Sequence, residues 1–73
     1  MTMEQIRFNL LRRRAAQEVR SLLTEGYTLV SQSNACETCI LRHRENGNWM
    51  KVTVGELGVY MYKNQQLVKI ELL

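Results

Sequence analysis

Cys36, Cys39 and His43 are both cysteines and the only histidine of the chain, gathered in the stretch NACETCILRHRENGNW. A Cys-x-x-Cys followed by a histidine can open a zinc site, form a redox dithiol, or supply a thiolate and a base for nucleophilic catalysis. The residues around the trio argue for a strand, and a strand pulls it apart. Cys39 and His43, four residues apart on one extended segment, would lie about 13 Å from each other at ~3.3 Å per residue. Ligands of one tetrahedral zinc share a metal at bond lengths of only about 2.0–2.3 Å. A Cys–His catalytic pair must come within hydrogen-bond reach, so the same spacing opposes it. Cys36 and Cys39 fall on opposite faces if both are extended, and a disulfide between them needs a turn there instead. No second pair of ligands exists, so no metal is expected; a zinc shared across a dimer through Cys36 and Cys39 is the minor alternative. A thioredoxin-type reading wants a strand running into a helix, which is missing here. Cys39 is expected to be a small core hydrophobe, Cys36 a loop residue, and His43 a residue at the core edge.

The elements that position these residues follow from periodicity. Over residues 3–25, Phe8, Leu11, Ala15, Val19, Leu22 and Leu23 fall on one stripe at 100° per residue, with Ala16 at its margin. Thr2 is placed to cap the start. Gly26 stands where a left-handed residue ends a helix. From Tyr27 onward the chain is rich in β-formers. Asn46-Gly47, between two β-rich runs, is a strong hairpin signal, and Lys63–Gln66 marks a weaker turn. The order is α-β-β-β-β-β. The expected fold is α+β, with one N-terminal helix (about 3–25) on an antiparallel meander of four to five strands (about 27–72), all in one small domain spanning residues 1–73.

A two-residue loop at Asn46-Gly47 would set Arg44 opposite Trp49, Arg42 opposite Lys51 and Cys39 opposite Val54. A two-residue loop at Asn64-Gln65 would set Met61 opposite Val68, Val59 opposite Ile70, Tyr60 opposite Lys69 and Tyr62 opposite Leu67. On this register the core face carries Cys39, Leu41, His43, Met50, Val52 and Val54. The other face carries Trp49, Tyr60 and Tyr62 among Arg42, Arg44, Lys51 and Lys69, with Glu71 as its acid. Arg44 over Trp49 would form a cation–π pair, and Arg42 facing Lys51 would be a mildly unfavourable like-charge pair. On strand one, Leu29 and Val30 point to opposite sides, and either suits the core.

Composition bounds the function. The chain has 73 residues, 45% of them hydrophobic, and a formal charge of +3. A domain this small buries only about 60% of its unfolded surface, so a partner would relieve marginal stability. Two cysteines are too few for a secreted disulfide scaffold. No apolar run reaches signal-peptide length or the ~20 residues of a membrane span, so a soluble cytoplasmic protein is expected. There is no aspartate, and the glutamates are scattered. With no nucleophile motif, phosphate loop or carboxylate pair, an enzyme is not expected, nor a cofactor or small-molecule substrate.

What remains is surface. Trp, Tyr and Arg are the residues that dominate protein interfaces. The reading is a small basic interaction module that binds a protein partner through Arg42, Arg44, Trp49, Lys51, Tyr60, Tyr62 and Lys69. Self-association is expected through Met3, Ile6 and Leu10, which form a second apolar patch on the helix. Single-stranded nucleic acid, stacked on the same aromatics, is the alternative partner. Arg12–Arg14 spread over about 200° of helix and cannot form one phosphate clamp.

Overall fold

The computed structural model describes residues 2–33 and 37–72. Among them one helix, α1 (Met3–Thr24), precedes five strands: β1 (Tyr27–Gln32), β2 (Thr38–His43), β3 (Trp49–Val54), β4 (Gly58–Lys63) and β5 (Gln66–Leu72). The strands pair antiparallel in the order β1-β2-β3-β4-β5, forming an open meander with α1 across its inner face. No described helix is long and apolar enough to cross a membrane.

The helix begins with a reciprocal cap. The Thr2 hydroxyl accepts from the Gln5 N–H at 3.1 Å, and the Gln5 side chain accepts from the Thr2 N–H at 3.0 Å. This satisfies two of the donors that an α-helix leaves open at its start. At the other end the Glu25 N–H closes on the Leu22 carbonyl, and Gly26 turns the chain at φ +101°. The position has a second requirement for glycine, since a Cβ there would lie 2.9 Å from His43 Nε2.

Leu11, Ala15 and Leu22 are the buried residues of α1, with Val19 packed beside them. Leu23, expected in the same stripe, is 43% exposed. It lies 100° round the helix from Leu22, and only Leu22 reaches the sheet. The sheet contributes Tyr27, Cys39, Leu41, Met50, Val52, Val59 and Met61, of which Leu41, Val52 and Val59 are almost fully enclosed. Burying a side chain of this size is worth about 1.5–3 kcal/mol, so these three anchor the middle strands to the helix.

Two registers differ from the expected ones. In the β2–β3 hairpin Arg42 pairs with Trp49, Leu41 with Met50, Ile40 with Lys51 and Cys39 with Val52. The loop is not the two-residue turn Asn46-Gly47. It spans Arg44 to Gly47, closed by His43 N–H to the Asn48 carbonyl at 2.8 Å and Gly47 N–H to the His43 carbonyl at 3.1 Å. Side chains stabilise this longer loop. His43 Nδ1 accepts from the N–H groups of Glu45 and Asn46, and Asn46 Oδ1 accepts from the Asn48 N–H. Gly47 is at positive φ, and Asn46 is not.

The β4–β5 hairpin does turn through two residues, Asn64 (φ 49°) and Gln65 (φ 72°). Tyr62 pairs with Leu67 as expected. Val68 is then an extra residue, and Met61 pairs with Lys69, Tyr60 with Ile70 and Val59 with Glu71. The bulge exchanges the faces of everything after it. Lys69 and Glu71 therefore point to the inner, helix-bearing side, and Ile70 points outward. An equivalent irregularity at Val30 in β1 puts Leu29 opposite Leu41 and Ser31 opposite Ile40. Both edge strands are thus bulged, a device that hinders edge-to-edge pairing.

Candidate interaction surface

The outer face of the sheet has no helix over it. Its central rows are Arg42–Trp49, then Ile40–Lys51–Tyr62–Leu67, then Thr38–Thr53–Tyr60–Ile70. Trp49, Leu67 and Ile70 are 41%, 47% and 45% exposed. A shallow depression of about 530 Å³ lies here, lined by Ile40, Trp49, Lys51, Tyr62, Asn64 and Gln65.

Both cations of this face rest on aromatic rings. The Arg42 guanidinium lies 5.2 Å from the Trp49 ring centroid, and Lys51 Nζ lies 4.6 Å from that of Tyr62. The second pair follows from the β3–β4 register, in which Lys51 faces Tyr62; the first is owed to the longer β2–β3 loop. It moves the pairing by two residues, which sets Arg42 beside Trp49 and replaces the Arg42–Lys51 opposition with Ile40–Lys51. The expected like-charge pair does not form, and the cation–π partner of Trp49 is Arg42 rather than Arg44.

Arg44 sits in the turn instead. Its N–H and its guanidinium Nε both donate to the Gly26 carbonyl, at 3.0 and 3.4 Å. Of the expected partner-binding residues, the structure brings together Arg42, Trp49, Lys51, Tyr60 and Tyr62. It leaves Arg44 at the hairpin end and Lys69 on the opposite face.

Trp49 is held by a residue that the sequence reading passed over. Asn64, in the turn between β4 and β5, accepts from the Trp49 N–H through Oδ1 and donates its own N–H to the Trp49 carbonyl, both at 2.9 Å. Its amide also reaches Asn48 Oδ1 at 3.3 Å. The only available signal was asparagine's tolerance of positive φ at a turn.

Lys69 belongs to a charged cluster on the helix side. Its ammonium lies 2.7 Å from Glu71 and 3.7 Å from Glu18 of α1. Arg14 bridges the same two carboxylates, hydrogen-bonding Glu71 through Nε and approaching Glu18 at 3.5 Å. The Arg14 hydrogen bond, with those from Glu18 and Lys69, lowers the Glu71 carboxyl to about 2. Glu18 moves the other way, raised first by its hydrogen bond to Glu71 and then by burial. The cluster ties edge strand β5 to the helix.

His43 has both ring nitrogens occupied. Nε2 faces the Glu25 carbonyl at 3.1 Å while Nδ1 accepts from the loop, and the ring meets Tyr27 edge-on at 4.9 Å. A neutral imidazole with its proton on Nε2 satisfies all of these. Cys39 is buried in the core; Cys36 lies outside the described residues. Among the described residues no three His, Cys or Glu side chains are grouped to hold a metal ion.

Met3, Ile6 and Leu10 occupy the first turns of α1, 80%, 41% and 44% exposed. A helix of 22 residues is about 33 Å long, against about 20 Å for a six-residue strand, and no described residue before Leu11 is buried. Here Arg7 donates to the Leu57 carbonyl, in the connection between β3 and β4, at 3.4 Å. The three adjacent arginines separate as expected, Arg12 lying over Phe8 and Arg14 in the charged cluster. No family model, curated protein or solved structure matches this chain.

Proposed function

We propose that this chain is a small non-enzymatic interaction module whose outer sheet face binds a protein partner. The observation that carries the reading is the uncovered surface built from Trp49, Tyr62, Leu67 and Ile70. Aromatic anchors held from below and surrounded by aliphatic groups have the composition of an interface centre. Asn64 and Arg42 hold Trp49 in place, which lowers the entropy lost when it is covered. Met3, Ile6 and Leu10 supply a second, smaller contact for self-association. Substituting Leu10→Glu should then lower the solution mass at high concentration, and an unchanged mass removes that part of the proposal.

Single-stranded nucleic acid is the second reading, favoured by the Arg42–Trp49 and Lys51–Tyr62 pairs. It has lost ground, because Arg44 and Lys69 are elsewhere and the β5 side is aliphatic. A photo-crosslinking amino acid at Leu67 tests both. Adducts to protein that vanish with Trp49→Ala support the proposal, the substitution costing about 2 kcal/mol of affinity. Adducts to nucleic acid would transfer the face to the second reading. Equal adducts from a control position on the helix would sink the proposal.

A further inference from the structure

The charge pattern of the outer face selects among protein partners. Lys51 is third in the six-residue strand β3, and β3 is the middle strand of the sheet. It therefore stands near the centre of the face. Stacking this face on its own copy about a two-fold axis through that centre brings the two Lys51 ammonium groups together. No glutamate side chain is there to separate them. The seven glutamates lie on α1, in turns and loops or, for Glu71, on the inner face of β5. Arg42 adds a second cation diagonal to Lys51, on the neighbouring strand. Two dehydrated like charges at an interface centre oppose a homodimer.

The anion must come from elsewhere, and the rest of the face limits its source. Toward β5 the surface is aliphatic, with Leu67, Ile70 and Leu72, the last 73% exposed. Aliphatic side chains neither stack bases nor hold phosphates. They do accept the apolar side chains of a polypeptide.

We infer that the partner is an acidic, apolar protein segment. Its carboxylates lie over Lys51 and Arg42, completing stacks already begun by Tyr62 and Trp49, and its aliphatic or aromatic side chains cover Leu67 and Ile70. The inference rests on the outer face being the binding surface.

Panning a displayed library of short random peptides on the folded chain tests it. The expected clones are enriched in Asp or Glu together with aliphatic or aromatic residues. They change Trp49 fluorescence, and they lose about tenfold or more in affinity on Lys51→Glu. Lys51→Gln, which removes the charge without reversing it, should cost less, and circular dichroism checks that both variants fold. Neutral or basic clones that nonetheless fail on Trp49→Ala overturn the acidic partner and leave the outer-face reading standing. Clones that bind Trp49→Ala and Lys51→Glu undiminished, or no clones at all, overturn both. Quenching of Trp49 by an oligothymidylate that displaces the peptides overturns the inference in favour of nucleic acid. A stable dimer dissolved by Leu67→Glu overturns the exclusion of a second copy.

Discussion

The β2–β3 and β4–β5 hairpins each turn near an asparagine, and they treat the residues beyond the turn in opposite ways. In β2–β3, His43 and Asn46 hydrogen-bond the loop backbone and hold it at four residues. The pairing is displaced by two positions relative to a two-residue turn. Side chains alternate along a strand, so an even displacement changes every partner and no face. In β4–β5 the turn itself is tight, with both central residues at positive φ. One extra residue, Val68, then exchanges the faces of Lys69, Ile70 and Glu71. The parity of an irregularity matters more than its size. The even one rearranged the outer surface, setting Arg42 beside the Trp49 ring. The odd one sent two charged residues to the helix and an isoleucine to the outer surface.

The strongest test of the contrast lies at Gly58. It faces Leu72 across the last pair of β4–β5, and a Cβ there would fall 2.0 Å from the Glu71 carbonyl oxygen. Gly58→Ala should cost about 3 kcal/mol and release the end of β5, seen as rapid amide exchange after Lys69. Protection that persists there would show that the sheet accommodates the methyl.

The first hairpin depends on a side chain rather than on close backbone approach. His43→Ala leaves the Glu45 and Asn46 N–H groups without their acceptor and should cost about 2 kcal/mol in denaturant melts. A loss below about 0.5 kcal/mol would mean that the loop holds its length unaided.

Acid should weaken the β5 tether. The Glu71 carboxyl is held at about 2 when folded, against 4.5 ordinarily. Its stabilisation is complete above its unfolded value and is lost as pH falls through the window from about 4.5 to about 2. Glu18, raised on folding, contributes in the opposite sense: its share is present below its unfolded value and lost as pH rises through the raised one. Urea midpoints measured against pH should therefore fall on the acid side, and Glu71→Gln should flatten that limb. An acid limb unchanged in Glu71→Gln would detach the cluster from stability.

The smallest effect separates the two turns directly. Gln65→Gly relieves a non-glycine residue at φ 72° and should gain about 0.5 kcal/mol. Asn46→Gly should instead lose a comparable amount, since Asn46 is not at positive φ and its side chain accepts from Asn48. Gains at both sites in thermal melts would contradict the loop geometry of β2–β3.

The helix and the first hairpin's faces were legible because local chemistry agrees with the fold there. The Thr2 cap, the Leu11–Ala15–Leu22 stripe and Gly26 are short-range signals, and each occurs where it was read. Trp49, Lys51, Tyr60 and Tyr62 reached the expected face through strand alternation alone. Arg44 did not, because it joined the loop, and Lys69 did not, because of the bulge.

From sequence alone, the chain's class, its element order and the inward side of its middle strands were determined, because hydrophobic periodicity is a local property that burial then rewards. Tertiary structure alone decided which residues face one another. The length of the β2–β3 loop depended on where His43 came to rest beneath Gly26, and the bulge at Val68 accompanies the pairing of Lys69 and Glu71 with Arg14 and Glu18. Both involve contacts between segments distant in the chain, His43 with Glu25 and β5 with α1, and no window of neighbouring residues contains all of their energy.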